Sequence, residues 1–183
     1  YLGGAGAGNF GLNGSGRAVW KKSGGGTRQK FFIHNTPLAT DYQAVFTIIG
    51  AKAQNTPTFG DDALTYLIAR SDSSGSQFVY AAIGPDNIRI GRYASTWNEW
   101  DSVGITVNIG DQFVLIAGTS GSLDEFIIKQ NGIARMTKTG SASTGLYYVG
   151  VGAKATPRSL FTDQTAPAEL DMWSAADRQP TTA

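Results

Sequence analysis

The sequence predicts an all-β chain folded as a two-sheet antiparallel β-sandwich. Three observations carry that prediction. Short runs rich in β-branched and aromatic residues recur about every ten residues from Gln29 onward. Turn residues stand at nearly every junction, most clearly Gly84-Pro85-Asp86-Asn87 and Asn131-Gly132. Apolar stripes at helical spacing are nowhere sustained.

Glycines punctuate residues 1–16, which are expected to form a linker or extended arm ahead of a sandwich domain over 17–183. A helix there is costly, because each interior glycine is worth about 1 kcal/mol against it. A short strand is expected around Ala18 to Lys21, and another over Gln29 to His34. Tyr42 to Ile49 is apolar at both parities, which predicts an inner strand covered on both faces. Leu64 to Arg70 and Ser76 to Ile83 are two more strands, and Ile88 to Ile90 follows the Gly-Pro-Asp-Asn turn. Gln112 to Ala117 and Glu125 to Lys129 come next. Asn131-Gly132 tolerates the positive φ pair of a type I′ turn and should join Glu125 to Lys129 to a strand at Ile133 to Thr137. Tyr147, Val149, Val151 and Ala153 alternate with Tyr148, Gly150 and Gly152. Ala168 to Trp173 makes the last strand, with a turn of helix expected near Ser174 to Arg178. No fixed-period repeat occurs.

Composition narrows the function. The 183 residues are 41% hydrophobic with a net charge of +1. That is enough apolar material for one core, and it gives no global pull toward nucleic acid or an anionic membrane. There is no cysteine and a single histidine, which excludes thiol chemistry and the common zinc sites. No apolar run approaches the roughly 18 residues of a membrane-spanning helix. The start lacks the basic region of a secretory signal, so none is expected there. A chain that begins at Tyr1 is expected to be a fragment, a processed product or the ordered part of something longer.

The succession LTYLIARSDSSGSQFVYAAIGPDNIRIGRY, GDQFVLIAGTSGSLDEFIIKQNGI, LYYVGVGAKA and PAELDMWSAAD resembles the concanavalin A-like (laminin-G-like) jelly rolls. The closest likeness is to those in minor tail proteins of phages that infect actinobacteria. It spans roughly residues 17–178. It rests on a displayed hairpin opening at Arg70-Ser71-Asp72, the Gly110-Asp111 step, the Asn131-Gly132 hairpin, and a closing strand carrying Trp173 that returns near the domain start. These are structural motifs, so they transfer fold better than function. The resemblance implies a non-enzymatic structural or adhesion module of a virion tail. Its partners would be other tail proteins and a host-surface glycan, in a homo-oligomer within an extracellular particle, without a cofactor. The alternatives are a glycan hydrolase of the same fold and a cellular lectin or adhesin.

The hydrolase makes the sharpest demand. Such enzymes set carboxylates on one strand as E-x-D followed by a further glutamate. Glu169-Leu170-Asp171 supplies the first half, but Trp173 or Ser174 stands where the last glutamate belongs. An ordinary surface pair is expected, and no catalytic residue is assigned. His34 has no G-x-S-x-G partner and is expected to be a simple hydrogen-bonded strand end. No phosphate-binding glycine loop is present. Asp61, Asp62, Asp72 and Asp101 lack calcium-loop spacing and are expected to be solvated turn carboxylates, so no metal is assigned.

The remaining cluster runs from Tyr93 to Asp101. Tyr93, Trp97, Asn98, Trp100 and Asp101 are the candidate carbohydrate-binding residues. Aromatic faces stack on sugar rings while amides and carboxylates hold hydroxyls. The segment is expected to be a connecting loop, since three-residue spacing cannot put both tryptophans on one face of a strand. The competing use of these tryptophans is to cap the core.

Overall fold

The computed structural model describes residues 2–3, 9–21, 28–54, 63–157 and 164–178. Among these there is no helix, and fifteen strands form two antiparallel sheets. Sheet one runs β1 (Leu2–Gly3), β4 (Arg28–Ile33), β13 (Tyr148–Pro157), β6 (Leu64–Ser71), β7 (Gln77–Ile83), β8 (Asn87–Ala94), β9 (Thr96–Gly104), with β14 (Gln164–Thr165) beside β13. Sheet two runs β12 (Ile133–Thr139), β11 (Glu125–Gln130), β10 (Gln112–Ala117), β5 (Gln43–Ala51), β15 (Glu169–Asp177), β3 (Ala18–Lys21), β2 (Asn9–Leu12). The all-β sandwich expected from the alternating runs is the fold observed.

The core lies between the sheets. Leu67, Ala69, Val79, Ala81, Ile83, Ile88 and Ile90 project from sheet one against Val45, Ile49, Phe113, Leu115, Phe126 and Ile128 of sheet two. Period-two alternation forces this: residues two apart share a face, so one parity of each strand is committed to the interior.

Several hydrogen bonds fix the register of sheet two. Asn131 and Gly132 have φ of 52° and 80°, the pair that a type I′ hairpin demands. Asp111, with 7% of its surface exposed, ties this hairpin to the preceding loop. Its carboxylate accepts from the Asn108 backbone N–H at 2.8 Å and from the side-chain amides of Gln130 at 2.7 Å and Asn131 at 2.8 Å. Burial alone would raise its pKa. Those hydrogen bonds and the Lys52 charge outweigh burial and hold it below the ordinary 3.8.

Four expectations need correction. Residues 9–12 are not linker: β2 pairs with β3, and Phe10 lies in the core, packed on Phe32 with centroids 5.3 Å apart. Glycines at 11, 14 and 16 disfavour a helix but leave an edge strand possible, so the sandwich begins ahead of residue 17. Ser174 to Asp177 continue β15 instead of turning into helix, because β5 runs alongside as far as Gln43. The strands buried on both faces are β6 and β7, whereas β5 alternates buried with half-buried positions. Finally, residues 96–104 form β9, an edge strand, where a loop was expected. Its polar residues hid it, since an edge strand needs only one apolar face.

Candidate functional site

Sheet one is unusual in burying its outer face as well. Phe31, Ile33, Leu64, Tyr66, Ile68, Phe78, Tyr80 and Ala82 form a second apolar cluster, with Tyr93 and Tyr148 packed against it. These residues have the opposite parity to the core positions of the same strands. The register lines them up: Phe31 beside Gly152, then Tyr66, Ala82 and Arg89 along one row.

Among the described residues, part of what covers this face comes from β9. The chain reverses at Ser95, φ 63°, and β9 runs back along β8. The indole of Trp97 then lies over the sheet. It stacks on Tyr66 at 5.3 Å and 28°, meets Tyr80 edge-on at 4.9 Å, and touches Tyr93 at 5.0 Å. It remains 41% exposed, so the aromatic layer is open to solvent at this point.

Beside Trp97 is a depression of about 250 Å³. That is small against the roughly 300–1,000 Å³ of pockets for drug-sized ligands and suits a ligand of about one sugar ring. Leu64 and Ala82 form its apolar base, and Tyr66, Tyr80 and Trp97 its aromatic wall. Gln29, Arg89, Glu99 and Lys154 supply the polar rim. Arg89 and Glu99 form an ion pair at 3.7 Å, with both side chains partly exposed. Burial, reinforced by the Glu99 charge and opposed by Arg89, pushes the Tyr80 phenol up to about 12. At neutral pH it is therefore an uncharged hydroxyl, able to donate and accept. Gly91 makes room for that hydroxyl: a Cβ there would sit 2.6 Å from it and 2.3 Å from the Asn98 carbonyl oxygen.

The five residues singled out in the sequence are not brought together. Trp97 lines the depression and Tyr93 supports it from the aromatic layer, stacked on Phe78 at 5.2 Å. Trp100 does not join them. The register passes from Ile90–Asp101 to Gly91–Glu99, so Trp100 is the extra residue of a bulge. It turns to the inner side, packs on Phe126 at 5.2 Å and lies over Gly140. The expected loop would have presented both tryptophans together; the strand separates them. Asn98 alternates away from Trp97, and Asp101 reaches Lys138 of β12 at 3.4 Å. Neither lines the depression. Leu64, Tyr66, Tyr80, Ala82, Arg89, Gln29 and Lys154 escaped sequence reasoning, and Glu99 lay within the Tyr93 to Asp101 cluster without being assigned a contact. The available signal was parity: Arg89 sits between core residues Ile88 and Ile90, so it faces outward.

Other candidates find structural roles. Arg70, expected on a displayed hairpin, is fully buried. It donates to the Asp41 carbonyl at 3.0 Å and the Leu123 carbonyl at 2.6 Å, and stacks over Phe126 at 5.1 Å. Burial lowers its pKa, against the opposing pull of Asp41, Asp124 and Tyr42. Asp72 caps its turn by accepting from the backbone N–H groups of Ser74 and Ser76. Asp171 pairs with Arg17 at 3.1 Å. His34 bonds locally with Thr36. Asp61 and Asp62 lie outside the described residues. Among the described residues no group of three or more His, Asp or Glu is placed to hold a metal ion.

Taken together, the two antiparallel sheets and strand order define a concanavalin A-like jelly roll of the galectin-like kind, and solved structures similar to it share that architecture. The carbohydrate-binding module CBM66 from Bacillus subtilis is 14% identical with a TM-score of 0.57, covering 91% of this chain and 94% of its own. The VIP36 exoplasmic/lumenal domain, solved in a Ca2+/Man3GlcNAc-bound form, is 10% identical with a TM-score of 0.59, covering 100% and 86%. The Emp46p carbohydrate recognition domain, in its metal-free form, is 9% identical with a TM-score of 0.58, covering 97% and 87%. At these identities the likeness establishes the fold. The chain belongs to the family described as Domain of unknown function (DUF7257), which matches residues 1–181. No curated protein matches it.

Proposed function

We propose that this domain is a non-catalytic glycan-binding module whose site is the depression on the outer face of sheet one. The observation that carries the proposal is Trp97 at the wall of that depression, 41% exposed and stacked on Tyr66 beside an Arg89–Glu99 pair. An indole left open to water beside a row of hydrogen-bonding side chains provides what a sugar requires. Its ring needs an apolar face to lie on, and its hydroxyls need donors and acceptors at the edge. Neighbours named as a carbohydrate-binding module and a carbohydrate recognition domain support the same use of the fold. The missing third carboxylate of the Glu169-Leu170-Asp171 segment, and its distance in sequence from the lining residues, support a role without hydrolysis.

The setting we propose is a virion tail, with adhesion to host-surface glycan among other tail proteins. Support for this part comes from the resemblance to tail-protein jelly rolls. Weak single-site binding would then be strengthened by copies arrayed on a particle.

The test is calorimetric titration of the domain with purified oligosaccharides, beside a Trp97→Ala variant. Binding that the variant loses while its circular dichroism is unchanged is the expected result. Binding that survives in Trp97→Ala places the site elsewhere. Antibody against the domain should decorate tails in electron micrographs of intact particles, and decoration of host cells alone would remove the virion setting.

A further inference from the structure

Resting on the glycan-binding function proposed above, we infer that Tyr80 and Glu99 are the specificity-determining pair of the depression, holding one free ring hydroxyl of a sugar between them. The register brings the two together. Tyr80 on β7 stands opposite Gly91 on β8, and Gly91 stands opposite Glu99 on β9. Their backbones are two strand spacings apart, about 10 Å. The middle residue of that row has no side chain. A Cβ on Gly91 would lie 2.6 Å from the Tyr80 hydroxyl, so the phenol reaches across the row and ends over Gly91. Its hydroxyl is then one strand from Glu99. Trp97 lies two residues before Glu99 on β9, on the same face of the strand. The stacking surface and the polar pair therefore meet at one place.

Both groups hold hydrogen-bonding capacity that the fold does not use. Tyr80 is 3% exposed, its ring packed on Tyr66 and Trp97. Among the described residues its hydroxyl has no hydrogen-bond partner, and the phenol lines the depression. Glu99 meets Arg89 at 3.7 Å, an ion pair longer than a hydrogen bond, so among the described residues its oxygens accept none. Burial keeps the Tyr80 phenol protonated at neutral pH, which makes it a donor, whereas a carboxylate only accepts. A hydroxyl completes such a pair. Its oxygen accepts from Tyr80 and its hydrogen is donated to Glu99, in one polarised chain. An ether oxygen satisfies one end and a deoxy carbon neither. A ligand carboxylate accepts from Tyr80 but meets Glu99 as a like charge. The sugars selected are those with an unsubstituted hydroxyl at the edge of the ring that stacks on Trp97.

The experiment screens the full chain on an immobilised array of neutral oligosaccharides. The strongest binder and its monodeoxy analogues, each lacking one hydroxyl, are then titrated into the wild type, Tyr80→Phe, Glu99→Ala and Trp97→Ala. Tyr80→Phe keeps the packed ring and Glu99→Ala alters an exposed edge-strand position, so both should keep the wild-type circular dichroism. One deoxy analogue should bind the wild type about tenfold more weakly than its parent, the low end for a hydrogen bond to a charged group because the Glu99 side chain is 43% exposed. Tyr80→Phe and Glu99→Ala should each weaken the parent by a factor of about three to ten. The penalty for that same deoxy analogue should shrink in both variants, the mark of direct coupling, and Trp97→Ala should bind neither sugar. Parent binding lost in Trp97→Ala but unchanged in Tyr80→Phe and Glu99→Ala overturns the pair and leaves the glycan site standing. A deoxy penalty unchanged in both variants shows that the hydroxyl is read elsewhere and overturns the pair in the same way. No binding to the array, or binding that survives in Trp97→Ala, overturns the site itself and this inference with it.

Discussion

The inner and outer faces of β6 and β7 are equally buried, yet different things bury them. On the inner face, Leu67, Ala69, Val79 and Ala81 are covered by a second sheet. On the outer face, Tyr66, Ile68, Phe78 and Tyr80 are covered by their own neighbours and by one indole from an edge strand. The inner layer is closed on every side, so removing an atom leaves a void. The outer layer has an open end at Trp97, so removing an atom leaves a wetter surface. A protein that must hold its shape and also offer an apolar surface to a ligand can divide those tasks between the faces of one sheet. Strand β9 shows the division within four residues, with Trp97 on the open layer and Trp100 on the closed one.

The largest effect expected from this contrast belongs to Trp100. Its ring lies against Phe126 and over Gly140, on the core side of the sheet. Trp100→Ala should cost about 3 kcal/mol, the low end for a core aromatic because the side chain is only part-buried. Denaturant titration measures it. A cost below about 1 kcal/mol would mean that β9 is held by its backbone ladder alone, and the contrast between the layers would lose its inner half.

A smaller effect is expected at the rim of sheet two, where the stabilising group is polar. Asp111 is held below its ordinary pKa by Asn131, Asn108 and Gln130 despite its burial. Its folded-state pKa is depressed, so its contribution is fully present above pH 3.8 and is lost as pH falls through the folded value. Asp111→Asn should cost roughly 1.5–3 kcal/mol at neutral pH, the range for hydrogen bonds to a charged group. The gap between variant and wild type should close in acid. A gap that stays constant from neutral pH to below 3.8 would show that the loss does not depend on the charge of the carboxylate. Glycan binding should be untouched by this variant, because Asp111 lies on the other sheet from the depression.

The inner layer was largely legible in the sequence, and the outer layer was not. Alternation in Ile88-Arg89-Ile90 and the turn signal at Asn131-Gly132 give the strands and a hairpin, because backbone and parity are local properties. The outer cluster depends on register across five strands. No local pattern states that Tyr66, Ala82 and Arg89 share a row, or that Lys154 stands beside Leu64. Trp97 was found because tryptophan is rare in a polar stretch. Its companions at 98, 100 and 101 were grouped with it on the assumption of a loop, which a single bulge and a strand overturn. Gly91 and Gly140 look like ordinary glycines until the rings beside them are placed.

The smallest stability effect, and the one that separates the two layers most directly, is expected for Trp97. Its indole touches Tyr66, Tyr80, Tyr93 and Phe31, the last at 5.8 Å. Those contacts have value, since aromatic pairs contribute roughly 0.5–1.5 kcal/mol each beyond area. Two features offset the loss. The side chain is 41% exposed, so less area returns to water on truncation. The space left is open to solvent, so the cavity penalty that dominates large-to-small changes in a closed core is absent. Trp97→Ala should therefore cost about 1 kcal/mol, roughly a third of the Trp100→Ala value. Measured by the same denaturant titrations, a clear inequality between variants three residues apart on one strand confirms that the faces carry different loads. Equal costs would make the outer cluster a second closed core. Trp97 would then be a structural lid over Tyr66 and Tyr80, and the depression beside it would lose its claim to be built for a ligand.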